Sequence, residues 1–189
     1  MIENPRLLLT TSRRPTRSMR TLCREISHTI PFAIRINRGK LSLQGIAEKA
    51  IELDAEKIMI IERWKFSVGK IQLFHVKPEG LKNVPPTIYV HNVIFRRNSA
   101  GETMKGKRIR SMAIAASLDK NAEVIKLEKV LSDFLALPVF SFEEMVNRKY
   151  EAAMQIKTSP QKNLIITFML LPELVEVGPQ IWVSHLVWS

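Results

Sequence analysis

Residues 7–40 read LLLTTSRRPTRSMRTLCREISHTIPFAIRINRGK, and how that stretch folds decides the rest. Leu7 to Thr10 is an apolar run suited to a strand, and Thr11 to Pro15 is a polar turn. Pro15 fits the first turn of a helix, where its missing N–H costs nothing. Met19, Leu22, Cys23, Ile26 and Ile30 then recur at the spacing of one helical face, while Arg17, Arg20 and Arg24 fall three and four residues apart on another. One face packs and the other presents a line of guanidinium groups. Pro31 ends the helix, Phe32 to Ile36 alternates as a short strand, and Asn37-Arg38-Gly39-Lys40 is a turn.

Downstream, Ser42 suits the N-cap of a helix whose buried stripe is Leu43, Ile46, Ala47, Ala50 and Ile51. The unbroken apolar centre of Lys57–Ile61 predicts a strand covered on both faces. Ser67-Val68-Gly69-Lys70 turns the chain into a strand at Ile71–Val76, Pro78 to Pro86 reads as a loop, and Thr87–Phe95 is a third β run. In the second half, Val124, Leu127, Leu131, Phe134 and Leu135 mark a helix, and Val139-Phe140 is a brief extended piece. Ser141 caps a helix carrying Phe142, Met145, Val146, Tyr150 and Ala153. Leu164–Leu170 is a strand, and Gly178-Pro179 is a turn before Ile181–Val187.

The two halves correspond loosely. KLSLQGIAEKAIEL (40–53) parallels VFSFEEMVNRKYEA (139–152), EKIMIIER (56–63) parallels KNLIITFM (162–169), and SVGKIQLFHV (67–76) parallels EVGPQIWVSHL (176–186). The repeat is gapped, and a chance match of amphipathic elements is its alternative. As a repeat it predicts an α/β fold of two similar halves with mixed sheets, residues 1–95 and 96–189, within one domain of 189 residues.

The net charge is +11, and its placement matters more than its size. Residues 1–40 hold nine Lys and Arg against two carboxylates, and residues 96–110 hold six against one. The remainder is near balance. Two concentrated basic patches on a neutral body predict a polyanionic partner, with a merely solvated basic surface as the alternative. No run reaches the roughly eighteen apolar residues of a membrane span. Arg13 and Arg14 interrupt any secretory signal. The lone Cys23 excludes an internal disulfide and a cysteine-based zinc site, so a cytoplasmic protein is expected.

Arginine suits phosphate because its planar fork donates two parallel hydrogen bonds and stays charged. Thr10, Thr11 and Ser12 precede a helix N-terminus, where free N–H groups and the helix dipole attract an anion. The other reading is that Ser12 or Thr16 only caps the helix. Arg96 to Arg110, with Gly101 and Gly106, reads as a cationic loop that orders on a ligand or as a plain hairpin tip. Residues 101–108 nearly match GxxxxGK[ST], but Arg108 stands where a hydroxyl must meet magnesium. His28, His75, His91 and His185 lack metal-ligand spacing, so no metal site and no cofactor are expected. No catalytic motif is present and no enzyme is predicted. Phe74, Tyr89, Phe95, Trp182 and Trp188 are expected in the core, and Trp64 is the exposed candidate for stacking on a base.

TTSRRPTRSMRTLCREISHTIP (10–31), RINRGKLSLQGIAEKA (35–50), KIMIIER (57–63) and PPTIYVHNV (85–93) together resemble the Brix family of ribosome-biogenesis factors, most of all its short archaeal members. The resemblance implies two α/β halves, each like the anticodon-binding domain of class II tRNA synthetases, and a non-catalytic role in ribosomal RNA processing and subunit assembly. By position, Thr11, Ser12, Arg13, Arg14, Arg17, Arg35, Asn37, Arg38, Gly39 and Lys40 match the family's characteristic stretches. The expectation is therefore an RNA-binding factor for precursor ribosomal RNA, with ribosomal proteins or other assembly factors as further partners and no membrane. Arg13, Arg14, Arg17 and Arg20, with Thr11 and Ser12, would hold one length of backbone, and Arg35, Arg38 and Lys40 would extend that surface. Arg96, Arg97, Lys105, Lys107, Arg108 and Arg110 would close over a second. The rival reading is a protein–protein scaffold in ribosome assembly whose RNA contact is incidental.

Overall fold

The computed structural model describes residues 6–64, 67–95, 108–119 and 121–189. The chain runs β1 (Arg6–Thr11), α1 (Arg17–Thr29), β2 (Ala33–Arg35), α2 (Leu43–Glu52), β3 (Ala55–Trp64), β4 (Ser67–Lys77) and β5 (Gly80–Ile94). It continues with β6 (Met112–Ala115), α3 (Ala122–Leu135), β7 (Val139–Phe140), α4 (Phe142–Asn147), β8 (Ala152–Thr158), β9 (Leu164–Leu170) and β10 (Val175–Val187).

The strands form one mixed sheet of ten, in the order β2-β1-β3-β4-β5-β10-β9-β8-β6-β7. β1 is parallel to β2 and β3, and β6 is parallel to β7 and β8; the remaining pairs are antiparallel. β1α1β2α2β3β4β5 and β6α3β7α4β8β9β10 therefore share one topology, and they meet where β5 pairs with β10. The mixed sheets of the two halves are one continuous sheet, joined by the β5–β10 ladder.

The buried residues divide by sheet face. Leu7 and Leu9 of β1 point into the larger core with Met19, Leu22, Cys23 and Ile26 of α1 and with Val124, Leu127, Leu131 and Phe134 of α3. Leu8 points the other way, into a smaller core under α2 with Ile46, Ala50, Ile58 and Ile60. A third cluster lies under α4, around Met145, Ala113 and Ala153. This two-sided cover is why β1 and β3 read as continuous apolar runs. Leu43 and Ile51 were expected in the α2 stripe but are exposed, since α2 packs only through the narrower face carrying Ile46, Ala47 and Ala50.

Several boundaries differ from the sequence reading, each for a local reason. Pro15 lies just before the helix; Thr16 is the N-cap, its hydroxyl accepting from the Met19 N–H at 3.2 Å. Residues 78–86 are not a loop: β4 and β5 form a hairpin with Lys77 paired to Gly80. Pro85 and Pro86 sit where the β4–β5 register shifts, so their missing N–H groups remove no ladder bond there. Gly178 and Pro179 lie within β10, at an irregularity between Val177 and Ile181. The helix after Ser141 stops at Asn147, and Ala152 and Ala153 belong to β8. Ser141 and Ser42 are both N-caps, so that part of the repeat holds in the structure. The other two pairings are one strand out of step. The counterpart of β3 is β8 rather than β9, and β10 corresponds to β5 rather than β4.

Gly69 has a φ of +139° and faces the Glu62 carbonyl so closely that a Cβ would collide with it. Gly69→Ala is expected to cost about 1–3 kcal/mol in urea unfolding. Gly39→Ala, at a φ of +54° with open space around it, loses less.

Asp119 ties the start of α3 to β8. Its carboxylate accepts the Asn121 and Thr158 N–H groups, each at 3.0 Å. Bonding from Thr158, then from the Asn121 N–H, holds its pKa below the ordinary 3.8. A depressed carboxylate stabilises the fold above its unfolded pKa and loses that contribution as the pH falls through the folded value. Asp119→Asn should therefore flatten the loss of stability between neutral pH and the acid end of the carboxylate range, read as urea midpoints at several pH values.

Candidate nucleic-acid interface

β1, β2 and β3 run parallel, so their carboxyl ends share one edge of the sheet, and the N-termini of α1 and α2 open at that edge. In open α/β sheets this is where ligands are met. The Ser12 N–H donates to the Ile61 carbonyl at 2.9 Å, and the Thr10 hydroxyl to the Ile36 carbonyl at 3.2 Å. These bonds tie the β1–α1 loop to β3 and the β2–α2 loop to β1.

Arg17, Arg20, Thr21 and Arg24 of α1 and Arg35 at the end of β2 line one cavity of about 400 Å³. The 17–20–24 spacing stacks three guanidinium groups on one helix face, and the parallel β1–β2 pair brings Arg35 beside them. Among the described residues no carboxylate lines this cavity. Among the described residues, Arg13, Arg14, Arg17, Arg20, Arg35 and Arg38 form no salt bridge. The Arg20 guanidinium donates to the Pro15 carbonyl at 3.0 Å, and that of Arg35 to the Asn37 side chain at 3.4 Å. Both bonds hold the side chains in place without neutralising them.

A second cationic pair lies along the same edge. Arg13 Nε and Arg38 Nε both donate to the Leu41 carbonyl, at 3.3 and 3.1 Å. Arg38 is only 8% exposed. Burial lowers its pKa, Glu62 opposes that, and Arg13 adds to it. Arg38 was expected to extend the contact surface; in the fold it chiefly braces the 36–42 loop. Arg14 and Lys40 are exposed beside it. Thr11 is buried, its hydroxyl donating to the Ser12 carbonyl at 3.2 Å, while Ser12 Oγ is buried with no hydrogen-bond partner among the described residues.

The helix ends reinforce the pattern. α3 and α4 carry Glu123, and Glu143 with Glu144, in their first turns, the ordinary complement to a helix dipole. α1 and α2 carry no acid there, and α1 begins with Arg17. A guanidinium at the positive end of a helix is unfavourable until an anion joins it. Cys23 is no part of this chemistry: burial pushes its thiol up to about 12, against the pull of Arg35, so it stays protonated.

Arg24 and Thr21 were not among the site residues selected from sequence. The signal for Arg24 was present in its spacing from Arg17 and Arg20; Thr21 had none. Arg108 and Arg110 are exposed on either side of buried Ile109, at the entry to β6. β6 is ninth in the sheet order and β1 second, so the pairing of the strands does not bring these two arginines to the α1 edge. Arg96, Arg97, Lys105 and Lys107 lie outside the described residues, as does most of the near-match to a phosphate-binding loop. Among the described residues no group of three His, Cys, Asp or Glu side chains could hold a metal ion, and no helix is long and apolar enough to cross a membrane.

No family model matches the chain. A Pyrococcus horikoshii protein named "Probable Brix domain-containing ribosomal biogenesis protein" is 32% identical over 91 residues, covering 48% of this chain and 40% of that protein. Relatives from Sulfurisphaera tokodaii and Methanococcus maripaludis carry the same name. The chain is similar in sequence to Brix-domain proteins. The Schizosaccharomyces pombe U3 small nucleolar ribonucleoprotein protein imp4 is 29% identical over 96 residues, 50% of this chain and 31% of that protein. The matched segment thus spans less than half the length of either relative. The fold of this chain is that of a probable ribosomal biogenesis protein from Aeropyrum pernix, with a TM-score of 0.77 at 22% identity over 97% of this chain and 99% of the other.

Proposed function

We propose that this chain is a non-enzymatic RNA-binding factor in ribosome biogenesis, which grips precursor ribosomal RNA by its phosphates during processing and subunit assembly. The observation that carries this reading is the cavity in which Arg17, Arg20, Arg24 and Arg35 converge. Four cations gathered along the first two turns of α1 and the end of β2 offer charge and bidentate donors suited to the phosphates of a sugar–phosphate backbone. Arg13, Arg14 and Lys40 lengthen the track along the same edge. The names of the archaeal and yeast relatives support ribosome assembly as the setting. Ribosomal proteins or other assembly factors are the further partners, and the cytoplasm is the proposed site of action. Arg96, Arg97, Lys105, Lys107, Arg108 and Arg110 form a second basic contact in this reading.

The fold is read as one domain with halves 1–95 and 96–189, each resembling the anticodon-binding domain of class II tRNA synthetases; the shared strand order of the halves supports this. Crosslinking in cells followed by sequencing of the attached RNA tests the proposal. Enrichment of precursor ribosomal RNA, lost when Arg17, Arg20 and Arg35 become alanine, is expected. An RNA-independent association with ribosomal proteins that survives nuclease, with no crosslinked RNA, would overturn it in favour of a protein scaffold.

A further inference from the structure

The face of the sheet opposite α1 and α3 is covered by α2 at one end and by α4 at the other. Between them lie the central strands β5 and β10. Ile88, Val90, Ile181 and Val183 point into the larger core, so Tyr89, His91 and Trp182 point to the opposite face, and the register shift between Val183 and His185 turns His185, the partner of Tyr89, to that face as well. There they form ring contacts rather than a sealed core. Tyr89 and His185 stack with centroids 4.3 Å apart and planes at 10°, and Trp64 meets Tyr89 edge-on at 4.9 Å. His91 and Trp182 make a second contact at 6.1 Å. His91 and His185 are exposed, and Tyr89, Trp182 and Trp64 are half-buried, so this is not the core position expected for Tyr89 and Trp182.

The surroundings favour a nucleic acid over an apolar protein surface. Lys70 of β4 pairs across with Tyr89 and lies 6.0 Å from the Trp64 ring, and Lys157 of β8 flanks the far side beyond Ile165, the partner of Trp182. Lys70 also holds the Glu62 carboxylate at 3.1 Å. Rings edged with polar atoms, with cations on both flanks, suit unpaired bases, whose flat faces stack on any aromatic ring while their phosphates meet lysine.

We propose that this open face is a stacking platform for single-stranded RNA, separate from the arginine edge. It rests on the reading of the chain as an RNA binder, and it adds a preference for unpaired over duplex RNA. The test compares binding of a 12-nucleotide oligouridylate and a 12-base-pair RNA duplex to the whole chain, by fluorescence anisotropy across a salt series. His185→Ala, at an exposed site, should weaken the single strand about fivefold or more, leave the duplex unchanged, and leave the salt slope unchanged. His185→Phe should restore the single-strand affinity. Tyr89→Leu, which keeps the bulk beneath, should repeat the loss. Equal losses on both RNAs, or no loss on either, would overturn the platform; the second result is what a protein occupant of this face would give. The arginine edge has a different signature, since its variants change the salt slope on both RNAs.

Discussion

Replacing Arg17, Arg20 and Arg35 with alanine together is expected to reduce RNA affinity about a hundredfold near 0.1 M salt, and to make the dependence of log K on log salt shallower by about 2–3. Each guanidinium that neutralises a phosphate releases close to one condensed counterion, so both numbers follow from the number of contacts removed. The three side chains line one cavity, and none forms a salt bridge with a carboxylate among the described residues. Stability should move the other way or stay level. Arg17 opens α1 at the positive end of its dipole, so its removal relieves a repulsion of a few tenths of a kcal/mol. A fall in affinity and slope with no loss of stability separates a binding role from a structural one. Arg38→Ala should behave oppositely, losing stability because its Nε braces the Leu41 carbonyl from a buried position.

The second large effect is expected in the core. Phe134 is 1% exposed and lies in the larger core, with its ring 5.7 Å from that of His75 and 6.0 Å from Lys57 Nζ. Phe134 comes from α3, whereas His75 and Lys57 belong to β4 and β3, so this side chain joins the two topological repeats. Phe134→Ala should cost about 3–5 kcal/mol, the transfer of a ring plus the cavity left behind. Because the same core takes in β1, β5, β6, β9 and β10, urea unfolding should remain a single transition shifted to lower midpoint. Two separated transitions, one for each repeat, would show that the β5–β10 seam does not couple them.

The N-terminal βαβ was readable because its signals agree. Leu7–Thr10 is apolar throughout, the buried and cationic faces of α1 have clean helical spacing, and Ser42 and Thr16 cap the two helices. The second repeat was harder because its parallel strands are short and rich in alanine. β6 is Met-Ala-Ile-Ala and β8 opens with Ala-Ala-Met, residues that favour helix when read locally. Those strands exist because β6 and β8 pair with each other between the cores under α3 and α4, a tertiary fact invisible in a window of ten residues. Missing them slid the repeat by one strand. At the site, spacing alone gave Arg17 and Arg20 with Arg24 behind them. The arrival of Arg35 depended on the β1–β2 register, and the burial of Arg38 depended on how the 36–42 loop closes. Of the aromatic face only Trp64 was legible, for a related reason: alternation in β5 and β10 says which residues share a face, but not that the helices leave that face open.

The arginine edge is tested most directly by photocrosslinking the intact chain to RNA and identifying the attached peptides by mass spectrometry. The account predicts adducts concentrated in residues 12–24 and 35–41, lost at high salt. Adducts absent from both segments and confined to the α4 surface, around Glu143 and Glu144, would contradict it.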